Sequence, residues 1–471
     1  MTARIHIKKW NKGINIQAAG TLVFLLMIFF PMVLQAETIK LTLEQAIGLG
    51  LKNSSSIRQK MLKVASAGAD LQSAKAARYT DVSASVSYSH LFEQPKMDNT
   101  TFDLGEGPVT IPGMYLSAQD PIMLELSAQQ AIFTFGKIKT GIKLANEGMS
   151  LARLELEEEK RSLIIKIKRA FYGYILAREV VSVQEATLAN KQEALDIAKK
   201  RFEAGLGSEL DMLSAESDVE NFMPEVISAR NRVKFAILAV MDLLGIEEQG
   251  GKTYDIELVG DLKPEYHRLD RDRLVETAMK NNYNIQQYRS GINAAEYQKT
   301  LAGRAKYPSI AGFANYSVQS GYDSITGKNK YTGKGSWTDL LTVGVGVQMP
   351  LSALFPWSSE NAGAKKSEFD AESLTTGLSS LESGIRLSIQ NILLSLEEEK
   401  AKIASGKKRV EVAGKFLSTS KQSYVNGLIS NTRLKDAQLN LNAAQLGYLS
   451  AIYNYNMALY DLYDAIGVDS L

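Results

Sequence analysis

Reading every seventh residue from Ile167 yields Ile167, Tyr174, Val181, Leu188, Leu195 and Phe202, and a later series runs Ile389, Leu396, Ile403, Val410, Leu417 and Tyr424. All twelve positions are apolar or aromatic. A second track follows each: Met212, Val219, Val226, Val233 and Val240, then Leu434, Leu441, Tyr448, Tyr455 and Leu462. A strict seven-residue period, unlike the drift of a straight helix, describes helices that wind around neighbours in a left-handed coiled coil. Each pair of tracks predicts a helical hairpin, turning at Gly205-Leu206-Gly207 and at Gly427-Leu428-Ile429. From Lys137 to Ala204 run 68 residues without proline, enough for a helix of about 100 Å at a rise of about 1.5 Å per residue.

A period of two interrupts the helices. Val82, Ala84, Val86 and Tyr88 alternate with Ser83, Ser85, Ser87 and Ser89, while Leu341, Val343, Val345, Val347 and Met349 alternate with Thr342, Gly344, Gly346 and Gln348. Such segments suit a membrane barrel with lipid outside and water inside, and a half-buried soluble strand alternates in the same way. Polar, Gly- and Pro-containing stretches, Glu93 to Asp120 and Ser320 to Trp337, are suited to exposed hairpin connections.

The whole pattern occurs twice. A shift of 228 residues sets Lys52-Asn53 on Lys280-Asn281, Ile57 on Ile285, Tyr79 on Tyr307 and Tyr88-Ser89 on Tyr316-Ser317. A shift of 222 sets Gly205-Leu206 on Gly427-Leu428, Ser208 on Ser430, Ala215 on Ala437, Asp242 on Asp464 and Gly245 on Gly467. The chain therefore reads as a tandem duplication joined near Glu247 to Pro264. The first repeat spans 37–253, with strands at about 81–91 and 122–133 and a helical hairpin over 137–245; the second spans 254–471, with strands at about 309–319 and 340–351 and a hairpin over 360–467.

Residues 1–36 read as a leader: Arg4, Lys8, Lys9 and Lys12 precede the apolar run Thr21 to Leu34, and Ala36 offers a small residue at the expected cleavage position. Beyond it no stretch approaches 18 consecutive apolar residues, so a membrane crossing would need a closed β-barrel. With 54 Lys+Arg against 52 Asp+Glu, the balance argues against a nucleic-acid partner, which requires a basic face. No cysteine and three histidines, His6, His90 and His267, exclude disulfides, thiolate metal sites and a Cys nucleophile.

Four strands cannot close a barrel, since about eight is the smallest size found, so several chains must contribute. Three copies would supply twelve strands and six helical hairpins. Taken together, the duplication, the order helix–strand–strand–hairpin, the opening segment Leu41-Thr42-Leu43-Glu44-Gln45-Ala46 and the turn signatures Arg201-Phe202-Glu203-Ala204-Gly205-Leu206 and Ser423-Tyr424-Val425-Asn426-Gly427-Leu428 resemble the TolC-like outer-membrane efflux proteins. The resemblance covers essentially all of the chain after the leader. It implies a mostly α fold with β: a trimeric 12-stranded outer-membrane barrel, four strands per chain, continued by a left-handed helical tunnel in the periplasm. It further implies a homotrimer set in outer-membrane lipid, forming the exit duct of a tripartite efflux or type I secretion system. Its partners are then a periplasmic adaptor (membrane fusion protein) and an inner-membrane transporter.

Enzymatic chemistry finds no support: there is no Gly-rich phosphate loop, H-E-x-x-H or G-x-S-x-G. No cofactor or metal site is expected. Glu157-Glu158-Glu159 and Glu397-Glu398-Glu399 read as solvated helix faces.

At the hairpin turns the resemblance implies an aperture. By motif, Tyr424, three residues before Gly427, matches a gate tyrosine and Asp436, nine after it, an aperture aspartate. Asp211 is the expected acceptor of a hydrogen bond from Tyr424. Arg433 departs from the pattern, standing where a second aspartate is expected, which leaves open an Arg433–Asp436 pair in place of an acidic ring. Gly205, Leu206, Gly427 and Leu428 are expected to form the adaptor-contact surface, because glycine permits the reversal and leaves leucine at the turn. Two rivals remain: a periplasmic adaptor, with a single hairpin between compact β domains, and a structural coiled-coil protein, which leaves the strand pairs unexplained. Cargo is not readable from these residues.

Overall fold

The computed structural model describes residues 39–103, 105, 107–246, 256–332 and 336–469. The leader read at 1–36 lies outside the described residues, as does 247–255 of the join between repeats.

Chain order is β1 (Ile39–Leu41), α1 (Leu43–Asn53), α2 (Ser55–Ala76), β2 (Asp81–Tyr88), β3 (Lys96–Met97), β4 (Thr100–Asp103), β5 (Pro108–Ile111), β6 (Met114–Tyr115), β7 (Ile122–Phe133), α3 (Lys137–Glu203), α4 (Glu209–Glu220) and α5 (Met223–Leu243). There follow β8 (Ile256–Leu258), α6 (Arg271–Asn281), α7 (Tyr283–Arg304), β9 (Ser309–Tyr322), β10 (Asn329–Lys330), β11 (Trp337–Gln348), α8 (Ser359–Val425) and α9 (Asn431–Ile466). A shift of 228 carries α1 onto α6 and α2 onto α7 end to end, and 222 carries α3 onto α8, each 67 residues long.

Local chemistry explains why the ends coincide. Thr42 and Asp270 cap α1 and α6, Ser54 and Asn282 cap α2 and α7, and Ser208 and Ser430 cap α4 and α9, each side chain accepting a backbone N–H of the first turn. Gly245 and Gly467 end the outgoing helices at φ 62° and 79°, a conformation that costs other residues a steric penalty.

The copies differ in three places. The return helix of the second copy is continuous, but that of the first breaks between Glu220 and Met223. Pro224 opens α5, and proline lacks the N–H and the room that an unbroken helix needs at that point; its counterpart, Leu446, has both. The Glu93 to Asp120 connection is not a bare loop but holds two small antiparallel ladders, β3 with β6 and β4 with β5. Entry into the long helices also differs: β7 runs into α3 through Phe135 (φ 51°) and Gly136 (φ 78°), whereas β11 reaches α8 through a 3-10 turn at Leu351–Leu354.

The four long strands form one antiparallel sheet in the order β2–β7–β9–β11. Register sorts the side chains into faces. Val82, Ala128, Ala314 and Val343 form one row, and Ala84, Leu126, Tyr316 and Leu341 the next on that face; Ser83, Ser127, Asn315 and Thr342 form a row on the other. Among the described residues β2 and β11 each pair on one side only. Below the sheet, α3 packs against α2, α5, α7 and α9, and α8 against α7 and α9.

Two apolar cores lie where the upper and lower helices meet. One gathers Ile57, Ile167, Phe171, Ile175, Val240, Leu244 and Leu258, sealed by the parallel pair β1–β8; the other gathers Ile285, Ile389, Leu396, Leu459, Leu462 and Ile466. The seven-residue track of α8 stays buried down to Leu417 and Tyr424 except at Val410, which is half-buried. That of α3 turns outward below Tyr174, where Thr187, Lys191, Ala194 and Ala198 take the buried positions and Phe202 ends 40% exposed.

One acidic run departs from the expected solvated face. Glu399 is only 7% exposed, because it stands three residues after Leu396 and four before Ile403 and so shares their buried stripe. Its Oε1 accepts from Lys402 Nζ at 2.8 Å, and its Oε2 has no partner among the described residues.

Candidate functional site: the paired hairpin tips

Each hairpin turns through the same backbone device. Leu206 N–H donates to Arg201 O at 2.8 Å and Gly205 N–H to Phe202 O at 2.9 Å; Leu428 N–H donates to Ser423 O at 2.8 Å and Gly427 N–H to Tyr424 O at 3.0 Å. The glycines take φ 68° and 73°. This doubly bonded ending satisfies carbonyls that a helix C-terminus otherwise leaves open. It also throws the next residue outward, so Leu206 and Leu428 are 73% and 74% exposed.

Behind the turns lies a small core of Ala194, Leu417, Tyr424, Leu434 and Ala437, drawn from α3, α8 and α9. Tyr424 is 3% exposed. Burial pushes its phenol pKa up, the Asp211 charge adds to this, and the Arg201 charge opposes it.

The structure does not join all the residues expected at the aperture. Asp211 accepts from Ser208 Oγ at 2.9 Å in the first turn of α4 and acts on Tyr424 through its charge, not through the expected hydrogen bond. Being a capping partner, its carboxylate is held on its own helix. Arg433 and Asp436 are both exposed, and among the described residues they form no ion pair with each other or with any other group.

What binds the two hairpins is a set of groups that sequence reasoning missed. The Arg201 guanidinium lies 5.3 Å from the centre of the Tyr424 ring, donates from Nη1 to Tyr424 O and from Nη2 to Leu206 O at 3.2 Å. Lys421 donates to Asn190 Oδ1 at 2.7 Å and pairs with Glu193; Lys435 pairs with Asp218. Within the first hairpin, Lys191 is buried with its Nζ 5.2 Å over Phe222, at the break between α4 and α5, and burial pushes its pKa down. The one available signal was Arg201 itself, a cation in the last turn of a helix whose C-terminus attracts positive charge.

At the opposite end, aromatic rings gather where strands become helices. Phe135 lies 4.6 Å from Phe133 and stacks on Tyr307 at 5.3 Å, and Phe355 stacks on Trp357 at 5.0 Å. Beyond the other rim stand Tyr88, Phe92, Tyr331 and Trp337, all exposed. The apolar strand face thus lies between two groups of aromatic rings, an arrangement that membrane barrels also carry. Among the described residues no helix is long and apolar enough to cross a membrane.

Comparison with known proteins matches residues 46–246 and 274–468 to the family model for outer membrane efflux proteins. Nodulation protein T of Rhizobium leguminosarum bv. viciae is 22% identical over 413 residues, 87% of this chain and 79% of that protein. Outer membrane protein TolC of Escherichia coli (strain K12) is 22% identical over 348 residues, 71% of this chain and 68% of that protein. Among solved structures, the outer membrane protein VceC of Vibrio cholerae superposes with a TM-score of 0.72 at 17% identity, covering 90% of this chain and 96% of that one.

Proposed function

Because this chain belongs to the outer membrane efflux protein family, we propose that three copies close one 12-stranded barrel and one helical tunnel, making the exit duct of a tripartite efflux or type I secretion system. The protein is an outer-membrane efflux channel with a periplasmic extension, and the adaptor reading is not favoured.

The observation that carries the trimer is the sheet with two open edges. Among the described residues β2 and β11 each leave a row of backbone N–H and C=O groups unpaired, which in hydrocarbon costs several kcal/mol per group, so an isolated copy cannot stay in a bilayer. Pairing β11 of one copy with β2 of the next removes both edges. The helices support the same joint. Exposed Ile227, Phe235 and Leu238 on α5 form one apolar ridge, and a groove of about 650 Å³ between α8 and α9, with Val412, Phe416, Ala443 and Ala444 flanked by Lys408 and Arg409, offers an acceptor.

In this reading the apolar sheet face meets outer-membrane lipid, the polar face lines the water path, and the tips of α3 and α8 narrow the periplasmic end. Exposed Leu206 and Leu428 are the contact for a periplasmic adaptor, which in turn brings an inner-membrane transporter. The test is heat-modifiable migration of detergent-extracted protein together with single-channel recording. A trimer that dissociates only on heating and conducts in planar bilayers supports the reading; a monomer without conductance refutes it.

A further inference from the structure

α3 and α8 both run towards the tips, so two helix C-termini end side by side. Each is the negative end of a helix dipole with carbonyls short of donors, and like ends repel. Arg201 stands between them. Its fork donates to Leu206 O beyond its own helix and to Tyr424 O of the neighbouring hairpin, and its charge faces the Tyr424 ring. No carboxylate lies within ion-pair distance of it among the described residues, so its charge is balanced by the two dipole ends and the ring.

Gly427 is part of the arrangement. A Cβ built there would lie 3.1 Å from Arg201 Nη2, so glycine serves both the turn at φ 73° and the room for the guanidinium. The duplication supplies no second copy of the device: Ser423 takes the place of Arg201, and Phe202 that of Tyr424.

Resting on the duct reading above, we propose that Arg201 clasps the two hairpin tips of each copy together and thereby sets the resting width of the periplasmic aperture. It is a positioning residue: it holds the tips by backbone carbonyls and a ring face and does not itself touch cargo. Opening then requires these contacts to yield, or the two tips to move as one body.

Two measurements on the full-length channel test this. The chain lacks cysteine, so Leu206→Cys with Leu428→Cys gives two labelling sites, and labelled chains diluted among unlabelled ones report the distance between tips of one copy by pulsed electron spin resonance. Arg201→Gln should broaden and lengthen that distribution, and raise resting single-channel conductance at least threefold. Arg201→Lys should lie between, keeping the charge without the planar fork. An unchanged distance distribution in Arg201→Gln overturns the clasp whatever the conductance does; a broadened one with parental conductance overturns its control of the aperture. Broadened tips in a parent that never conducts leave the clasp standing and refute the duct.

Discussion

Ser83 Oγ lies 2.7 Å from Ser127 Oγ across the β2–β7 pair, on the face opposite to Val82 and Ala128. That bond pins the register, and with it the face that Val86, 72% exposed, presents. A slip of one residue would exchange every side chain of the strand between the two faces of the sheet.

Val86 and Val345 stand three rows apart on that face, either side of its centre, so arginine at each should cost up to about 2–4 kcal/mol, falling off towards the rims, while Ser85→Arg on the other face is tolerated. The measurement is the yield of outer-membrane trimer. Equal loss in Val86→Arg and Ser85→Arg would refute the assigned faces.

At the tips, glutamate at both Leu206 and Leu428 should abolish export and adaptor capture while heat-modifiable trimers persist, since both leucines project from the turns. Undiminished adaptor pull-down by the double variant would remove the docking role.

Glu399 tests the balance between charge and packing. Its carboxylate sits in the stripe of Leu396 and Ile403 with one oxygen unpartnered among the described residues; an apolar residue there removes the cost of that buried polar atom, and Lys402 keeps Glu398 as its partner. Glu399→Leu should leave the melting temperature of the trimer unchanged or raise it. A clear fall would show that the carboxylate has a partner contributed by another copy.

Two ion-pair clusters should report at opposite ends of the pH scale. Lys63 and Lys60 hold the Glu155 carboxyl below its usual range, so the stability it contributes is present above the ordinary carboxylate pKa and lost as pH falls through the depressed one. Glu398 and Glu399 push Lys402 up from 10.5 to about 12, so that contribution is complete below 10.5 and lost as pH rises through about 12. Glu155→Gln should flatten the acid limb of a thermal-stability profile and Lys402→Met the alkaline limb. Each should also lower the plateau between them by the contribution it removes, and a shift of the acid limb in Lys402→Met would contradict the assignment.

The long helices were legible because a seven-residue repeat is a local property: whatever the neighbours are, only a coiled helix keeps Ile389, Leu396, Ile403, Leu417 and Tyr424 on one stripe. The duplication was legible for the same reason, since Thr42 and Asp270, or Ser208 and Ser430, cap helices by bonds that reach only three residues. Alternation likewise marked the strands, though Val86 on a core face and Val86 on a lipid face produce the same pattern. Tertiary structure decided what depends on a neighbour far along the chain. Three-residue β1 exists only because β8 lies beside it, Glu399 is buried only because α9 covers that side of α8, and Asp211 is occupied by Ser208 instead of Tyr424. Arg201 is the clearest case: its partners are a ring and two backbone carbonyls, and carbonyls, being common to every residue, leave no mark in a sequence until folding brings two helix ends together.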